Sequence, residues 1–568
     1  MSEWTAETIP SSFLPPVRDW FAETFGTPTP PQAQGWPAIQ RGEHTLILAP
    51  TGSGKTLTAF LWGIDQLFRE LDEGQMANGE WQMANHDSRI THHESPVTNP
   101  QSPITKPVEG IRLVYISPLK ALNNDIHRNL RVPLAGIRAK ADAMGLDLPH
   151  IRVAVRSGDT PQRDRQAMLR EPPHILITTP ESLYLLLTSP KAREMFRTVH
   201  TVIVDEIHTL AGNKRGVHLS ISLERLQHLA EQPIQRIGLS ATIEPLDEAA
   251  RFLGGYEWEI ANGEWQMANG ESAAPTTHNP QPSTLILQPR PVTIINAAYK
   301  KALDLKVVTV VDDFRNLPGE SVWPSIIPRV LDLIRAHKTT LIFTNNRRLA
   351  ERAGDYLNEQ WAAEADGKAT GLIKDGTATG IGLMATGDGT RAGPVRVHHG
   401  SVSKETRLEI ERQLKAGELP ALVGTSSLEL GIDIGAVDLV VQLQSPKSVA
   451  QGLQRVGRSG HLVGQTSVGR IFPTHREDVV EAAAIAGGML YGAVEPTRTP
   501  RHPLDVLASR MPWQEIEARV VGHRVPLPIM IALLYFKRAF KGVLRGPGSA
   551  LGRSTSSWWR RARTSESI

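Results

Sequence analysis

Eight residues near the N-terminus, A-P-T-G-S-G-K-T at 49–56, have the types and spacing of a phosphate-binding loop. They follow the apolar run 44–48 and precede the amphipathic segment 57–69, so the predicted order is strand, glycine-rich turn and helix. The glycines let backbone N–H groups curl around phosphates, Lys55 can reach the β/γ-phosphates, and the Thr56 hydroxyl can hold Mg²⁺. The loop predicts a bound nucleotide held by Thr51, Gly52, Ser53, Gly54, Lys55 and Thr56.

A pair of acids, Asp205 and Glu206, directly follows the apolar run 201–204. Acids at the end of a buried strand contribute nothing to packing, so a catalytic role is the better interpretation. In a nucleotide hydrolase, Asp205 would bind Mg²⁺ through water, and Glu206 would orient and deprotonate the attacking water. We therefore predict Lys55, Asp205 and Glu206 as catalytic residues, with Thr56 and Asp205 at the magnesium ion.

Three further residues fit the same site. Ser240 and Thr242, in S-A-T, end another apolar strand, and their hydroxyls could bridge the acid pair to a neighbouring lobe. Gln32 lies 17 residues before Ala49, and its side-chain amide can read both the acceptor and the donor edge of adenine.

Arginines stand at i and i+3 in the second half of the chain, as Arg455 and Arg458 of Q-R-V-G-R-S-G-H. On a helix these two share a face, so Arg458 could act on a γ-phosphate across a cleft, with Arg455 beside it. A solvated basic turn is the alternative interpretation. Upstream, Thr425 and Ser426 offer hydroxyls to a nucleic-acid backbone, and Asp433 offers a carboxylate to the ribose or to a water network.

The elements that must position these residues alternate between short β-rich runs and helical patterns from residue 44 to about 255, and again after 323. Such alternation predicts parallel sheets with helices on both faces and ligand at the carboxyl ends of the strands. The fold class is therefore α/β, with two doubly wound lobes in tandem. Predicted strands are Thr45–Ala49, Arg112–Ser117, Arg152–Val155, His174–Thr178, Thr201–Val204, Ile237–Leu239, Thr340–Thr344, Val395–His399, Ala421–Thr425 and Leu439–Gln444.

Predicted domain boundaries follow from this alternation. They are 1–290 for the first lobe, 291–322 for a linker, 323–500 for the second lobe and 501–568 for an irregular tail.

Three polar segments interrupt the lobes, and we expect each to be a disordered surface loop. The first two contain the same eight-mer, N-G-E-W-Q-M-A-N, which is typical of a duplicated DNA element translated in place. A binding motif used twice is the alternative. The three segments are 72–108, 261–283 and about 362–392.

Composition narrows the class of protein. The chain has 568 residues, 40% of them apolar, and no cysteine, which excludes disulfides and thiolate metal sites and fits a reducing cytoplasm. We expect neither a signal peptide nor a membrane span. The net charge of +3 arises in the tail: residues 537–568 carry eight basic residues and one acid, so residues 1–536 carry −4. Any nucleic-acid surface on the lobes must therefore be a local stripe.

The motifs, taken in order, resemble those of superfamily-2 helicases of the DEAD/DEAH type, and their wording is similar to the large helicase-related (Lhr) proteins. The resemblance covers residues 10–505 outside the three loops. The matching strings include S-P-L-K-A-L, T-T-P-E-S-L, D-E-I-H, S-A-T, T-S-S-L-E-L-G-I-D, Q-R-V-G-R-S-G-H, R-S-G-D-T-P, K-R-G-V-H-L and H-H-G-S-V-S.

This resemblance implies two RecA-like lobes with an ATP and Mg²⁺ site in the cleft between them. It also implies an enzyme that hydrolyses ATP to move 3′ to 5′ on single-stranded DNA and to open DNA or RNA–DNA duplexes, in DNA repair. Backbone contacts to the strand are expected from Pro118, Lys120, Thr179, Pro180, Thr425 and Ser426.

Two other functions fit the same motifs. One is an RNA helicase, because contacts to the backbone separate DNA from RNA poorly. The other is a truncated fragment that binds ATP and nucleic acid without coupling them, because the resemblance stops near residue 508. We expect a frameshift or a truncation to explain the tail, whose Arg and Trp residues could otherwise form a nucleic-acid arm or a membrane-surface anchor.

Overall fold

A computed structural model describes the chain over residues 9–50, 52–77, 110–118, 120–260, 285–297, 302–317, 321–365, 393–429, 435–460, 465–500, 503 and 505–506. Two parallel sheets form its centre, and each is flanked by helices. The prediction of two α/β lobes is confirmed.

The first sheet has seven strands in the order β3-β4-β2-β5-β6-β1-β9, and every pairing is parallel. Its strands are β1 Thr45–Leu48, β2 Leu113–Ile116, β3 Val153–Arg156, β4 Ile175–Thr178, β5 Thr201–Val204, β6 Gln235–Ser240 and β9 Thr293–Asn296. Strands β7 Tyr256–Ile260 and β8 Leu285–Pro289 pair separately and antiparallel.

The helices of this lobe are α1 Pro15–Phe25, α2 Pro30–Gln40, α3 Lys55–Ala77, α4 Lys120–Ala143, α5 Gln162–Arg170, α6 Pro180–Thr188, α7 Pro190–Arg193, α8 Lys214–Leu229 and α9 Leu246–Gly254. They cover both faces of the sheet, because successive strand residues enter different cores. Leu46 and Leu48 pack in one core, whereas Ile47 packs in the other. Burial on both faces explains why these strands read as continuous apolar runs.

The second sheet has six parallel strands in the order β10-β15-β14-β11-β13-β12. Its strands are β10 Leu303–Val307, β11 Thr340–Phe343, β12 Val395–His398, β13 Ala421–Gly424, β14 Leu439–Leu443 and β15 Ser467–Phe472. The helices around it are α10 Trp323–Ala336, α11 Arg347–Ala365, α12 Lys404–Lys415, α13 Val449–Val456 and α14 Arg476–Tyr491.

All the predicted strands are present, within two residues at either end. The predicted linker, 291–322, needs correction because it contains a strand of each sheet. Strand β9 lies beside β1 in the first sheet, and β10 lies beside β15 in the second. Strand β9 ends at Asn296 and β10 begins at Leu303, so the predicted linker is far too long. These edge strands are short and only half buried, so their apolar signal is weak.

The three predicted loops fall mainly on 78–109, 261–284 and 366–392, which lie outside the described residues. The starts of the first and third loops need correction. Residues 72–77 continue helix α3, and residues 362–365 complete helix α11. The tail beyond 506 also lies outside the described residues.

The segment after α14 joins the two lobes. Its Glu495 carboxylate accepts hydrogen bonds from the first backbone N–H groups of α13, at 2.5 Å from Val449. Two residues further on, the Thr497 N–H donates to the Glu244 carbonyl of the first lobe at 2.5 Å. The Thr499 N–H then donates to the carboxylate of Glu248 at 3.1 Å.

Among the described residues, no helix has the length and apolar character needed to cross a membrane.

Candidate nucleotide and nucleic-acid site

The glycine-rich loop lies between β1 and α3, where the sequence placed it. Gly52 and Gly54 have φ values of 81° and 83°, a left-handed conformation that only glycine adopts without strain. The Ser53 N–H and hydroxyl both bond the Pro50 carbonyl, at 3.3 and 2.7 Å, which closes the turn. Lys55, the first residue of α3, is buried. Thr56 is half buried, and Thr51 lies outside the described residues.

Gln32 lies against this loop and is buried. Its amide oxygen accepts a hydrogen bond from the Thr29 N–H at 2.8 Å, and the Thr29 hydroxyl donates to the Ser53 carbonyl at 2.8 Å. A Cβ at Gly54 would lie only 2.9 Å from the Gln32 amide nitrogen. Gln32 thus connects the start of α2 to the loop, and one of its acceptor positions is already used within the protein.

The acid pair follows β5 directly, and both side chains are buried. The Asp205 carboxylate accepts hydrogen bonds from the Glu206 N–H at 2.8 Å and from the Tyr115 hydroxyl. Burial and the neighbouring charge of Glu206 raise the pKa of Asp205, while Lys55 acts in the opposite direction. Two buried carboxylates and a lysine at one place therefore form a charged centre at the carboxyl end of the sheet.

Glu206 adopts a left-handed backbone conformation, with φ 51° and ψ 46°, which is strained for a residue with a side chain. His208 lies beside it, with Nδ1 3.5 Å from the Glu206 carboxylate and 3.1 Å from the Ser240 hydroxyl. Burial lowers the pKa of His208. Ser240 therefore contacts the acid motif inside the first lobe. The Thr242 hydroxyl is buried and has no hydrogen-bond partner among the described residues.

The two arginines of the second lobe have different surroundings. Arg455 donates to the Glu429 carboxylate at 2.6 Å and to the Gln442 amide oxygen at 2.8 Å, so its guanidinium is held inside the lobe. Arg458 donates to the Glu429 carbonyl at 2.6 Å, and its guanidinium also interacts electrostatically with the charge of Glu206 in the first lobe. Burial lowers the pKa of Arg458, and Glu206 opposes that effect. Of the two, Arg458 is therefore the one whose guanidinium is affected by the charge of the acid pair.

In the first lobe, the residues predicted to contact nucleic acid follow two neighbouring β-strands. Pro118 comes after β2 and Thr179 after β4, and the Ser117 N–H donates to the Thr178 carbonyl at 3.0 Å. The Thr179 hydroxyl accepts a hydrogen bond from the Ser182 N–H and so caps α6. Pro118, Thr179 and Pro180 are buried. They could therefore present mainly backbone groups to a ligand.

The remaining predicted positions differ in what the structure describes. Thr425 and Ser426 follow β13, and Ser426 is exposed. Lys120 begins α4, but its side chain lies outside the described residues, as does the whole of Asp433.

Sequence reasoning missed four residues that the structure brings to the site. Tyr115 contacts Asp205, His208 contacts Glu206, and Glu429 holds both arginines. The fourth, Arg215, connects the segments after β2 and β4. His208 was visible in the D-E-I-H string, whereas the position of Tyr115 follows only from the register of β2 against β5.

Comparison with known proteins identifies the class. Residues 29–249 match the DEAD/DEAH box helicase family, and residues 388–462 match the helicase conserved C-terminal domain. The P-loop and the D-E-I-H acid motif lie in the first parallel-sheet lobe and the arginine motif in the second, so the chain carries a DEAD/DEAH box helicase domain followed by a helicase conserved C-terminal domain.

Its similarity to the Lhr helicases is extensive. The chain is 45% identical to the Lhr helicase/probable uracil glycosylase of Mycolicibacterium smegmatis, over 87% of this chain and 28% of that protein. It is 40% identical to the ATP-dependent helicase Lhr-Core protein 2 of Thermococcus barophilus, over 91% of this chain and 50% of that protein. The chain therefore spans half or less of the length of these relatives.

A solved structure gives the same result. The Mycobacterium smegmatis helicase Lhr bound to ssDNA and AMP-PNP matches with a TM-score of 0.67 and 44% identity, covering 88% of this chain and 52% of that one.

Proposed function

We propose that this chain is an ATP-dependent helicase motor that moves 3′ to 5′ on single-stranded DNA and opens DNA or RNA–DNA duplexes, in DNA repair. The observation that carries the proposal is that the negative charge of Glu206, in the first lobe, acts on the buried guanidinium of Arg458 in the second. A site shared between two lobes can couple nucleotide turnover to movement of one lobe against the other. Similarity to an Lhr structure holding ssDNA and AMP-PNP supports the choice of ligands.

In this proposal the glycine-rich loop and Lys55 bind the ATP phosphates, and Gln32 lies toward the adenine. The donors suit a magnesium ion, because Asp205 and Thr56 offer oxygen ligands. Burial and the charge of Glu206 raise the pKa of Asp205, and a bound cation would offset both effects. When bound, the ion would neutralise charge developing on the phosphates. Glu206 takes the proton of the attacking water, and Arg458 stabilises the transferring phosphoryl group.

The nucleic-acid strand lies across both lobes. The segments at Pro118, Lys120, Thr179 and Pro180 contact it on the first lobe, and Thr425 and Ser426 contact it on the second. Such contacts to phosphate and sugar are independent of base sequence, as a translocating enzyme requires. Each ATP cycle closes and reopens the lobes and so shifts the grip along the strand.

The experiment compares ATP turnover with strand displacement in the same preparation. We expect single-stranded DNA to stimulate ATP hydrolysis and a duplex with a 3′ single-stranded tail to be opened, whereas a 5′-tailed duplex is not. Turnover that is stimulated without unwinding would show a motor uncoupled from displacement. Preferential stimulation by single-stranded RNA would favour an RNA helicase. Absence of turnover with either polymer contradicts the proposal altogether.

A further inference from the structure

We propose that Arg215 is a positioning residue that links the catalytic acid pair to the two segments proposed to hold the nucleic-acid strand. These strand-holding segments are Pro118, after β2, and Thr179 and Pro180, after β4. The inference deepens the proposed function and rests on it, because it requires that these two segments contact nucleic acid. Arg215 belongs to none of the residues assigned above to ATP or to the strand.

The contacts of Arg215 join two separate motifs. Its Nη2 donates to the Pro118 carbonyl at 2.6 Å and to the Glu181 carboxylate at 3.1 Å, and its Nε donates to the other oxygen of that carboxylate. A guanidinium fork fixes such a carboxylate in both distance and direction. Burial raises the pKa of Glu181, but the hydrogen bonds to its carboxylate, that from Arg215 first among them, and the positive charge of Arg215 together lower the pKa below its ordinary value, so the carboxylate is held charged. One side chain thus sets the spacing between the segments after β2 and β4.

Helices α6 and α8 are also packed together. The rings of Tyr184 in α6 and His218 in α8 lie edge to face, with their centroids 5.1 Å apart. Glu181 lies in the first turn of α6, whose start is the proposed strand contact. A displacement of α8 therefore moves α6, and Arg215 extends the same displacement to Pro118.

The start of α8 is fixed to the chain that leaves the acid pair. Asn213 caps the helix by accepting a hydrogen bond from the Gly216 N–H at 3.1 Å. A Cβ at Gly216 would lie 2.0 Å from the Leu210 carbonyl oxygen, so only glycine allows this close approach. Eight residues lie between Glu206 and Arg215, and the cap and the close contact at Gly216 restrict their conformation. A change at the strained Glu206 backbone is thereby transmitted to Arg215.

The pair is not needed to hold the fold together. The side chains of Arg215 and Glu181 are 38% and 53% exposed, and ion pairs at such exposure contribute little to stability. Removal of the pair should therefore change the strand-holding surface without unfolding the lobe. Arg197 supplies a matched control, because it forms a similarly exposed pair with Glu194 in the same lobe and contacts neither strand segment.

The test measures ATP turnover as a function of single-stranded DNA concentration for the wild type, Arg215→Ala and Arg197→Ala. We expect Arg215→Ala to raise the DNA concentration for half-maximal stimulation by about fivefold or more, the size of a typical coupling between sites. KM for ATP at saturating DNA should stay near the wild-type value, and Arg197→Ala should behave as the wild type. Arg215→Lys, which keeps the charge but loses the fork, should give an intermediate shift.

Two further measurements separate positioning from a direct phosphate contact. If Arg215 acts through Glu181, then Glu181→Ala and the double variant should show the same shift as Arg215→Ala, since the effects are not additive. The salt dependence of DNA binding should keep its wild-type slope. Additive shifts, a slope smaller by about one, or an unchanged DNA requirement in Arg215→Ala would overturn the inference. Absence of DNA stimulation in the wild type would instead overturn the proposed function, and the inference with it.

Discussion

Arg455 and Glu429 form a buried ion pair inside the second lobe. The Arg455 Nε donates to the Glu429 carboxylate at 2.6 Å, and both side chains are less than a tenth exposed. Nη1 of the same guanidinium donates to Asn345 at 3.1 Å and to Gln442 at 2.8 Å. Arg455 therefore joins the ends of β11 and β14 to the segment after β13.

This network predicts that Arg455→Ala mainly affects stability. The substitution leaves Glu429 as a buried charge without its partner, which costs about 3–5 kcal/mol. Thermal or urea unfolding should show the loss. Arg412→Ala is the control, because Arg412 pairs with Glu409 and Glu418 on the surface of the same lobe. Equal stability of the two variants would contradict a structural role for Arg455.

Arg458 is expected to act on turnover instead. Arg458→Lys keeps a positive charge but loses the guanidinium, whose Nε and Nη2 donate to the Glu429 carbonyl and whose charge interacts with that of Glu206. We expect a fall in kcat of about 10³-fold, the lower range for an arginine finger. Binding of a non-hydrolysable ATP analogue, followed by fluorescence, should remain. A variant that retains its kcat would remove Arg458 from the nucleotide site.

Glu206→Gln tests the general base. The amide keeps the shape of the side chain at this strained position but cannot take a proton. We expect turnover to fall by about 10²–10⁴-fold while analogue binding persists. Steady-state hydrolysis and equilibrium binding, measured on one preparation, check this. Retained hydrolysis would assign the base elsewhere.

Tyr115→Phe tests the orientation of Asp205. The variant keeps the ring that stacks on Phe60 at a centroid distance of 5.0 Å, but it removes the hydroxyl that donates to the Asp205 carboxylate. A supporting hydrogen bond of this kind is worth about 10–100-fold in metal affinity or activity. We therefore expect ATP hydrolysis to need a higher Mg²⁺ concentration. An unchanged Mg²⁺ titration would show that the Tyr115 hydroxyl does not serve Asp205.

His174 makes the stability of the first lobe depend on pH. Burial and the nearby Arg152, Arg112 and His150 lower the pKa of His174 from 6.5 to about 4. Its Nδ1 accepts a hydrogen bond from the Arg152 N–H at 3.2 Å, so the folded ring is neutral. Between pH 6.5 and 4 the unfolded chain binds the proton and the folded chain does not. The stabilisation is therefore present above pH 6.5 and is lost as the pH falls toward 4.

His174→Asn should reduce this dependence, because Asn keeps an acceptor near Nδ1 but does not titrate. We expect a smaller fall in Tm between pH 7 and 4.5 than in the wild type. Part of the fall will remain, because burial and Arg236 also lower the pKa of His44 to about 4. The exposed His228 gives the control variant His228→Asn. Parallel Tm curves for His174→Asn and the wild type would contradict the assignment.

The sequence by itself determined the local parts of this protein. The glycine-rich loop, the acid pair and the apolar strands were predictable because each depends on neighbours within a few residues. The missed strands β9 and β10 are short and half buried, so their apolar pattern is weak. Their membership in a sheet depends on partners far away in the chain.

Only the tertiary structure decided which distant residues meet. Arg455 and Arg458 are equivalent as a sequence pattern, yet Arg455 pairs with the Glu429 carboxylate, whereas Arg458 is affected by the charge of Glu206 in the other lobe. Tyr115 reaches Asp205 across 90 residues of sequence, and Arg215 reaches Pro118 across 97. Such contacts are set by strand order and helix packing, which bring the carboxyl ends of separate strands together. No local pattern of residue types encodes these distances.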